Sequence, residues 1–146
     1  MVKVEKSKGG SNEEEMQRLA FQMQELRIGA ESAYKQREKI LDEIEELSIT
    51  IAALREIKKI KEPQSTFIEI GGGNFIQGTV NPTAEIFVNA GSGIIIKRSI
   101  DEALEINEKR RKHLESAAEK LTEEIQRMSL MMRSLESRAQ ELVRPR

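Results

Sequence analysis

Apolar side chains recur at alternating intervals of three and four residues in two separate segments of the chain. In the first segment, about 13–61, they are Met16, Leu19, Met23, Leu26, Ala30, Ala33, Ile40, Ile44, Leu47, Ile51 and Leu54. In the second, about 100–143, they are Leu104, Leu114, Ala118, Leu121, Ile125, Met128, Met132, Leu135, Ala139 and Leu142. Such an alternation, sustained over many turns, is the a/d seam of a coiled coil, whereas a helix on a globular surface shows a shorter and broader stripe. The pattern therefore predicts two long coiled-coil helices.

Terminus signals bound the two predicted helices. Ser11 with Glu14, and Ser99 with Glu102, have the spacing of a capping box, in which a hydroxyl and a carboxylate satisfy free backbone N–H groups at a helix start. Pro63 follows the first helix, which it cannot continue. The helices have nearly equal lengths, so the second can run back antiparallel along the first. The expected division is a flexible tail over 1–12, helices over 13–62 and 99–146, and a central segment over 63–98.

The central segment changes from helical to strand-like spacing. Residues 67–98 are rich in Ile, Val, Phe and Thr, and glycine-rich turns interrupt them at 71–73 and 91–93. Gly78, inside a strand, and the glycines at 71–73 are expected to form bulges or tight turns where backbones approach closely. The pattern predicts two β-hairpins, with strands at about 67–70, 74–80, 84–89 and 94–98.

The predicted hairpins cannot bury their own apolar side chains. Small sheets are marginal in water, and unpaired strand edges recruit other strands. We therefore expect the hairpins to form an oligomerisation platform, on an α+β fold whose helices make a long antiparallel two-helix coiled coil. The candidate oligomerisation residues are the apolar residues of the strands: Phe67, Ile68, Ile70, Phe75, Ile76, Val80, Ile86, Phe87, Val88, Ile94, Ile95 and Ile96.

Composition excludes several classes of function. Apolar residues make up 38% of the chain and aromatic residues 3%, which is thin material for a globular core. Charged residues make up 34%, yet the net charge is −1, so no basic face for nucleic acid is indicated. Cysteine is absent, no stretch approaches the roughly 20 apolar residues of a membrane span, and the first residues lack a signal-peptide core. A cytoplasmic protein without disulfides, membrane contact or nucleic-acid partner is expected.

No catalytic, cofactor or metal site is predicted. The glycine cluster at 71–73 lacks the Lys and Ser or Thr at a helix start that a phosphate-binding loop needs, and a strand follows it instead. His113, the single histidine, falls at heptad position c, on a solvated helix face with no nucleophile assignable beside it. The many carboxylates lie on exposed faces as ion-pair partners of Lys and Arg. We expect a protein that is not an enzyme.

Three polar residues interrupt the seam: Arg37, Asn107 and Arg111. Polar seam residues usually fix the register of a coiled coil at some cost in stability, and this role explains all three better than ligand binding. If facing positions have numbers that sum to about 161, Arg37 approaches Glu124, whose carboxylate could neutralise it.

Two stretches of the central segment resemble a known family. They are I-G-G-G-N-F-I-Q-G at 70–78 and V-N-A-G-S-G-I-I-I-K-R-S-I-D-E-A at 88–103. With the flanking coiled-coil segments, they resemble the α subunit of archaeal prefoldin over nearly the whole chain, and four strands instead of two favour an α-type over a β-type subunit. The run Phe-Ile-Glu-Ile at 67–70 departs from the leucine, valine and proline run common in the family.

The resemblance implies both an assembly and a function. The assembly is a hexamer of two α-type and four β-type subunits, whose hairpins form a double β-barrel from which the coiled coils project. The function is that of an ATP-independent chaperone, which captures non-native proteins at the coil tips and passes them to a group II chaperonin. The expected partners are therefore β-type subunits, non-native client proteins and a group II chaperonin, and no cofactor is needed.

The family's mode of binding points to the end of the coil that carries both chain termini. Three apolar residues there lie off the seam: Phe21 and Leu130 at heptad position f, and Met131 at position g. Outward apolar side chains suit contact with apolar partners, to whose shapes methionine adapts, although single exposed apolar residues are common on any surface. The candidate client-binding residues are Met16, Leu19, Phe21, Met23, Met128, Leu130, Met131, Met132 and Leu135.

A purely structural coiled coil, including a filament-forming relative of prefoldin, is the alternative function. Such a protein would form open polymers without β-type subunits. A chaperone subunit would instead form a closed complex with them.

Overall fold

A computed structural model describes the backbone of residues 2–82 and 85–144, and the side chains within these ranges from residue 10 onward. Six elements follow one another along the chain. They are α1 (Val2–Lys59), β1 (Gln64–Gly71), β2 (Asn74–Val80), β3 (Ile86–Gly91), β4 (Ile94–Arg98) and α2 (Ile100–Val143). The predicted fold class is confirmed: two long helices enclose two antiparallel β-hairpins in sequence.

The helix bounds differ from prediction at the N-terminus. α1 begins at Val2, so residues 2–12 have helical backbone where an irregular tail was expected. Gly9 and Gly10, which disfavour helix, stand directly before Ser11, yet α1 continues through them without a break. Met1 and residues 145–146, which the predicted tail and second helix included, lie outside the described residues.

The start of α2 agrees with its predicted cap. The backbone N–H of Glu102 donates a hydrogen bond to Ser99 Oγ at 3.2 Å, and the helix begins at Ile100. This hydrogen bond satisfies one of the N–H groups that a helix start leaves without an intrahelical acceptor. Asp101 and Glu102 then place two carboxylates in the first turn, where the helix dipole favours negative charge.

The chain divides into two compact units, of which the first combines Met1–Leu41 with Ser116–Arg146. Its helical segments pack along the predicted seam. The seam residues that this unit buries are Leu19, Ala33 and Ala118. Arg138 Nη2 pairs with Glu15 Oε1 at 2.7 Å, joining the early part of α1 to the late part of α2. The two segments of this unit therefore run antiparallel.

The second unit, Asp42–Glu115, contains both hairpins and the adjoining helical segments. Two ion pairs cross between its helices, from Lys58 Nζ to Asp101 Oδ1 at 2.6 Å and from Arg55 Nη2 to Glu108 Oε1 at 3.0 Å. Residue numbers rise on one helix as they fall on the other, so these segments are also antiparallel. The seam residues that this unit buries include Ile51 and Leu54.

Two of the three polar seam residues have hydrogen-bond partners. Asn107 is buried, and its Nδ2 donates to the carbonyl oxygen of Ala103 at 2.7 Å, one turn earlier in α2. Arg111 Nη1 donates to Ser48 Oγ at 3.5 Å, and its Nε lies 3.7 Å from Glu115 Oε1. Of these contacts, only the one from Arg111 to Ser48 crosses between the helices.

The predicted pairing of Arg37 with Glu124 is wrong. Arg37 Nε is buried without a hydrogen-bond partner, and among the side chains that the structure describes no ion pair joins these two residues. The register explains the difference. In the unit that contains both residues, the residue numbers of the contacts sum to 157 for Gly29 with Met128 and to 153 for Glu15 with Arg138, below the 161 that the pairing assumed.

Both hairpins close through the same kind of turn. The backbone angle φ is positive at both central residues of each loop, 58° and 75° at residues 72–73, and 52° and 76° at residues 92–93. Positive φ at two successive positions is the signature of the type I′ turns that match the twist of paired strands. Glycine adopts these angles without strain, which accounts for the predicted glycine turns, and Ser92 is the one non-glycine residue among the four.

A β-bulge precedes each turn. The strand register shifts between Glu69 and Gly71 in the first hairpin and between Asn89 and Gly91 in the second. In the second hairpin the backbone N–H of Gly91 donates to Asn89 Oδ1 at 2.9 Å, which stabilises the bulged conformation. The bulges therefore occur at the strand ends and not at Gly78.

Gly78 serves a close approach between side chain and backbone. A Cβ atom at this position would lie only 2.6 Å from Ile68 Cδ1, a distance that real Cβ atoms essentially never show. Ile68 pairs with Ile76 on the neighbouring strand and extends over Gly78 on the same face. The glycine thus makes room for the isoleucine side chain, and the predicted bulge or tight turn at this position is wrong.

The second hairpin packs one face on the helices. Val88 forms a buried cluster with Leu54 of α1 and Ala103 of α2. The partly buried apolar residues around this cluster are Ile86, Leu104 and Ile106. The first hairpin contributes no residue to this cluster, and every residue of β1 is exposed.

Candidate functional site

Both faces of the first hairpin present apolar side chains to solvent. The pairing of Phe67 with Gln77, and of Glu69 with Phe75, places the two phenylalanines on one face. Ile68 and its partner Ile76 lie on the opposite face, and all four apolar side chains are exposed. The described part of the chain leaves both faces of this hairpin exposed, so both are available for contact with other chains.

The second hairpin buries part of one face and exposes the other. Phe87 pairs with Lys97 and Ile95 with Asn89, which puts the two apolar side chains together on the face turned away from the helices. The opposite face carries Val88, which belongs to the core of the chain itself. The predicted oligomerisation residues therefore fall into two groups. Four are buried or half-buried within the chain: Val80, Ile86, Val88 and Ile96. The other eight are exposed: Phe67, Ile68, Ile70, Phe75, Ile76, Phe87, Ile94 and Ile95.

Strand edges add hydrogen-bonding capacity to these apolar faces. β1 pairs only with β2 and β3 only with β4, and in the described part of the chain no ladder joins the two hairpins. The outer edge of each hairpin strand therefore presents backbone N–H and C=O groups that can pair with another strand. Apolar faces combined with open edges are the physical requirements of a surface that assembles with similar sheets.

The candidate client surface lies in the first unit, and its off-seam members are exposed as predicted. Phe21 is 62% exposed, and Leu130 and Met131 are likewise exposed. The predicted seam members are less accessible. Leu19 is buried, whereas Met16, Met23, Met128, Met132 and Leu135 are half-buried. Phe21, Leu130 and Met131 are thus the predicted residues with enough free surface to contact a partner without opening the coil.

The sequence analysis did not select four further apolar residues of α1 that are exposed. Ile28 and Ile49 are exposed at heptad position f, the position of Phe21, and Tyr34 and Leu41 are exposed at position e. The heptad count that singled out Phe21 also assigns these positions, so the signal was present. Four of these five apolar residues, from Phe21 to Leu41, belong to the first unit.

Titratable side chains on the described residues do not cluster as metal ligands. Within the ranges that the structure describes, no group of three or more His, Cys, Asp or Glu residues could hold a metal ion. His113 is exposed on α2, as its heptad position predicted. Among the described helices, none has an apolar stretch long enough to cross a membrane.

Comparison with known proteins relates this arrangement to one family. A family model described as prefoldin subunit matches residues 26–144. Prefoldin subunit alpha of Pyrococcus horikoshii is 29% identical over 132 residues, covering 90% of this chain and 89% of that protein. Prefoldin subunit alpha of Methanococcoides burtonii is 28% identical over 127 residues, 87% of this chain and 92% of that protein. Prefoldin subunit alpha of Methanobrevibacter smithii is 34% identical over 82 residues, only 56% of either protein.

A solved structure shows the same fold. A chain in the cryo-EM structure of filamentous PFD from Methanocaldococcus jannaschii superposes with a TM-score of 0.62, covering 87% of this chain and 99% of that chain. The two sequences are 20% identical, so this likeness establishes the fold and nothing finer.

Proposed function

This chain belongs to the prefoldin family, whose members are chaperones and not enzymes, and from this premise we propose that it is an ATP-independent holdase subunit. Its coiled coil binds non-native polypeptides through exposed apolar side chains in the first unit and delivers them to a group II chaperonin. Its hairpins assemble with β-type subunits into a hexamer of two α-type and four β-type chains. The observation that carries the proposal is the exposure of Phe21, Leu130 and Met131 at coiled-coil positions where packing does not require apolar residues.

Exposed apolar residues off the seam are best explained by binding. A two-helix coil buries its a and d positions, so an apolar side chain at f gains almost nothing from folding. A large exposed apolar side chain also lowers solubility, which opposes its presence without a function. Methionine at g suits a binder of many partners because its flexible, polarizable side chain adapts to different shapes.

Assembly explains how weak contacts by single side chains could together hold a client protein. Each exposed side chain can bury only part of its surface against a client, and one such contact is weak. Several subunits held by one platform present several coils to the same polypeptide, so that after the first contact the next ones are intramolecular. The proposed hexamer is therefore part of the binding mechanism and not only a scaffold.

Replacing Phe21, Leu130 and Met131 together by Ser should weaken client capture while leaving assembly intact. Losing three partly buried apolar contacts per subunit should reduce the apparent affinity for a non-native protein about tenfold or more. Suppression of the aggregation of a diluted, denatured protein measures this, with no ATP added. Ile49→Ser is the matched control, because Ile49 is equally exposed on α1 but lies in the second unit. Unchanged suppression by the triple variant at intact assembly would refute the assignment.

The alternative is an open polymer built from this chain alone. One specific observation favours considering it, namely that the structural neighbour from Methanocaldococcus jannaschii is described as filamentous. The open strand edges of both hairpins are compatible with either a closed ring or an extended array, since an interface polymerises when its rotation fails to close. The two forms differ in stoichiometry and in their requirement for β-type chains.

The mass of the purified protein, with and without a co-expressed β-type subunit, distinguishes the two forms. The proposed chaperone subunit is expected to yield one species of defined mass that contains six chains when the β-type subunit is present. A filament would instead give a broad, concentration-dependent mass distribution from this chain alone, unchanged by the β-type subunit. That second result would contradict the proposed assembly.

A further inference from the structure

The methionines of the chain are confined to the first unit. Residues 42–115, which form the second unit, contain no methionine. Cysteine and tryptophan are absent from the whole chain, so the thioether of methionine is the side-chain group that a two-electron oxidant attacks most readily. The side chains of five of the six methionines are described by the structure: Met16, Met23, Met128, Met131 and Met132. Susceptibility to oxidation is therefore a property of one of the two units.

The five methionines differ in how far solvent reaches them. Met131 is 56% exposed, whereas the other four are half-buried. A peroxide must reach the sulfur atom to transfer its oxygen, so exposure sets the order of reaction. Met131 should react first, and the half-buried methionines should follow because each keeps part of its surface in water.

The half-buried methionines belong to the seam that holds the two helices together. Three of them occupy heptad position a: Met16, Met23 and Met132. Met128 occupies position d, and its Sδ packs closely on α1, since a Cβ atom on Gly29 would lie 3.3 Å from it. A sulfoxide oxygen in the seam needs a hydrogen-bond donor, whereas the N–H groups of a helix interior are already paired. The oxidised side chain therefore turns toward water and removes apolar surface from the seam.

We propose that oxidation of these methionines by a peroxide opens the coiled coil of the first unit and leaves the second unit folded. The sulfur lone pair of each thioether attacks one peroxide oxygen, and the O–O bond breaks as the S–O bond forms. The sulfur is oxidised by two electrons to a sulfoxide, and hydrogen peroxide is reduced to water. The first unit is thereby an oxidant-responsive segment. This inference is independent of the proposed chaperone function.

The second unit holds its helices together with side chains that peroxide does not oxidise. Its buried seam residues include Ile51 and Leu54, which contain no sulfur. Leu54 also packs with Val88 of the second hairpin and Ala103 of α2. The second hairpin therefore keeps its contacts with the helices when the first unit opens.

Hydrogen peroxide added to the purified full-length protein tests the proposal. Fragmentation mass spectra, which distinguish the adjacent Met131 and Met132, follow the oxygen added at each methionine. We expect Met131 to react about tenfold faster than Met128. Once all five methionines are oxidised, the melting temperature of the helical circular dichroism should fall by about 10 °C, while the oligomer mass stays the same.

A variant in which leucine replaces all five methionines is the control. Leucine is similar in volume and has no sulfur, so peroxide should leave the melting temperature of this variant unchanged. An equal fall in the variant would assign the effect to other residues and overturn the proposal. Complete oxidation of the unmodified protein without a change in melting temperature would also overturn it. So would dissociation of the oxidised oligomer, because the hairpins of the second unit would then be affected.

Glutamine substitutions test the seam positions without an oxidant. Glutamine is unbranched like methionine and ends in a polar amide. The double variant Met128→Gln, Met132→Gln should melt about 10 °C below the unmodified protein, because both side chains lie in the seam. Met131→Gln is the matched control, since the same change at the exposed neighbouring position should shift the melting temperature by about 2 °C or less. Equal shifts in the two variants would mean that polarity at the seam methionines does not control the coil, contrary to the proposal.

Discussion

Replacing Phe75 and Phe87 by Asp is expected to leave a folded monomer that no longer assembles. Phe75 is 58% exposed on the first hairpin and Phe87 is 66% exposed on the outer face of the second, so neither contributes much to the fold of the single chain. In an assembly of sheets each side chain would be covered. Each lost phenylalanine costs about 2 kcal/mol, and each buried carboxylate adds to this, so association weakens by three orders of magnitude or more.

The mass in solution and the helical circular dichroism of this double variant test that expectation together. A monomer with unchanged helical signal is the expected result. Phe21→Asp is the matched control, because Phe21 is equally exposed but lies on the coil, and this variant should assemble normally. A double variant that keeps the mass of the unmodified assembly would show that other surfaces hold the subunits together.

The coiled coil could be predicted from spacing, but its register could not. Leu19 and Ile51 are buried because they occupy heptad positions d and a, which the alternation of three and four residues assigns without any structure. Sliding one helix by a turn keeps a and d positions facing each other. The pairing of Arg37 with Glu124 failed for this reason, since the register depends on local contacts such as that of Gly29 with Met128.

The positions of the hairpin turns could be predicted from the sequence, but the face of the second hairpin that packs on the helices could not. Glycine favours turns that need positive φ, and the glycines at residues 71–73 and at Gly93 do adopt positive φ, so the turns agree with prediction. Ile86, Phe87 and Val88 are apolar in succession, and such a run gives no alternation from which to choose the inner face. The packing of Val88 with Ala103 determines which face is buried. Such a contact between distant segments cannot be seen in the local sequence pattern.

The candidate client surface could likewise be predicted from the sequence only in part. Phe21 and Leu130 could be found from sequence because a large apolar residue at an outer heptad position is conspicuous. The close contact of Met128 with Gly29 could not, because it depends on how the two helices meet. Sequence patterns identify the apolar residues that are present, whereas a contact between helices depends on how the helices pack.

Ile51→Ala should destabilise the chain by about 3 kcal/mol, because deleting a fully buried isoleucine side chain removes apolar burial and leaves a cavity. Ile51 is 1% exposed at seam position a of the second unit. The free energy of unfolding in urea, measured on the assembly-deficient Phe75→Asp, Phe87→Asp background, reports the coil without a contribution from association.

Ile49→Ala provides the control two residues away in the same helix. Ile49 is 65% exposed, so the same truncation there removes little buried surface and should change the free energy of unfolding by about 0.5 kcal/mol or less. The difference between the two variants isolates the seam, since residue type, helix and helix propensity change are identical. Equal effects at both positions would mean that the coil does not bury position a in solution, and the assignment of Phe21 and Leu130 as outward-facing residues would fall with it.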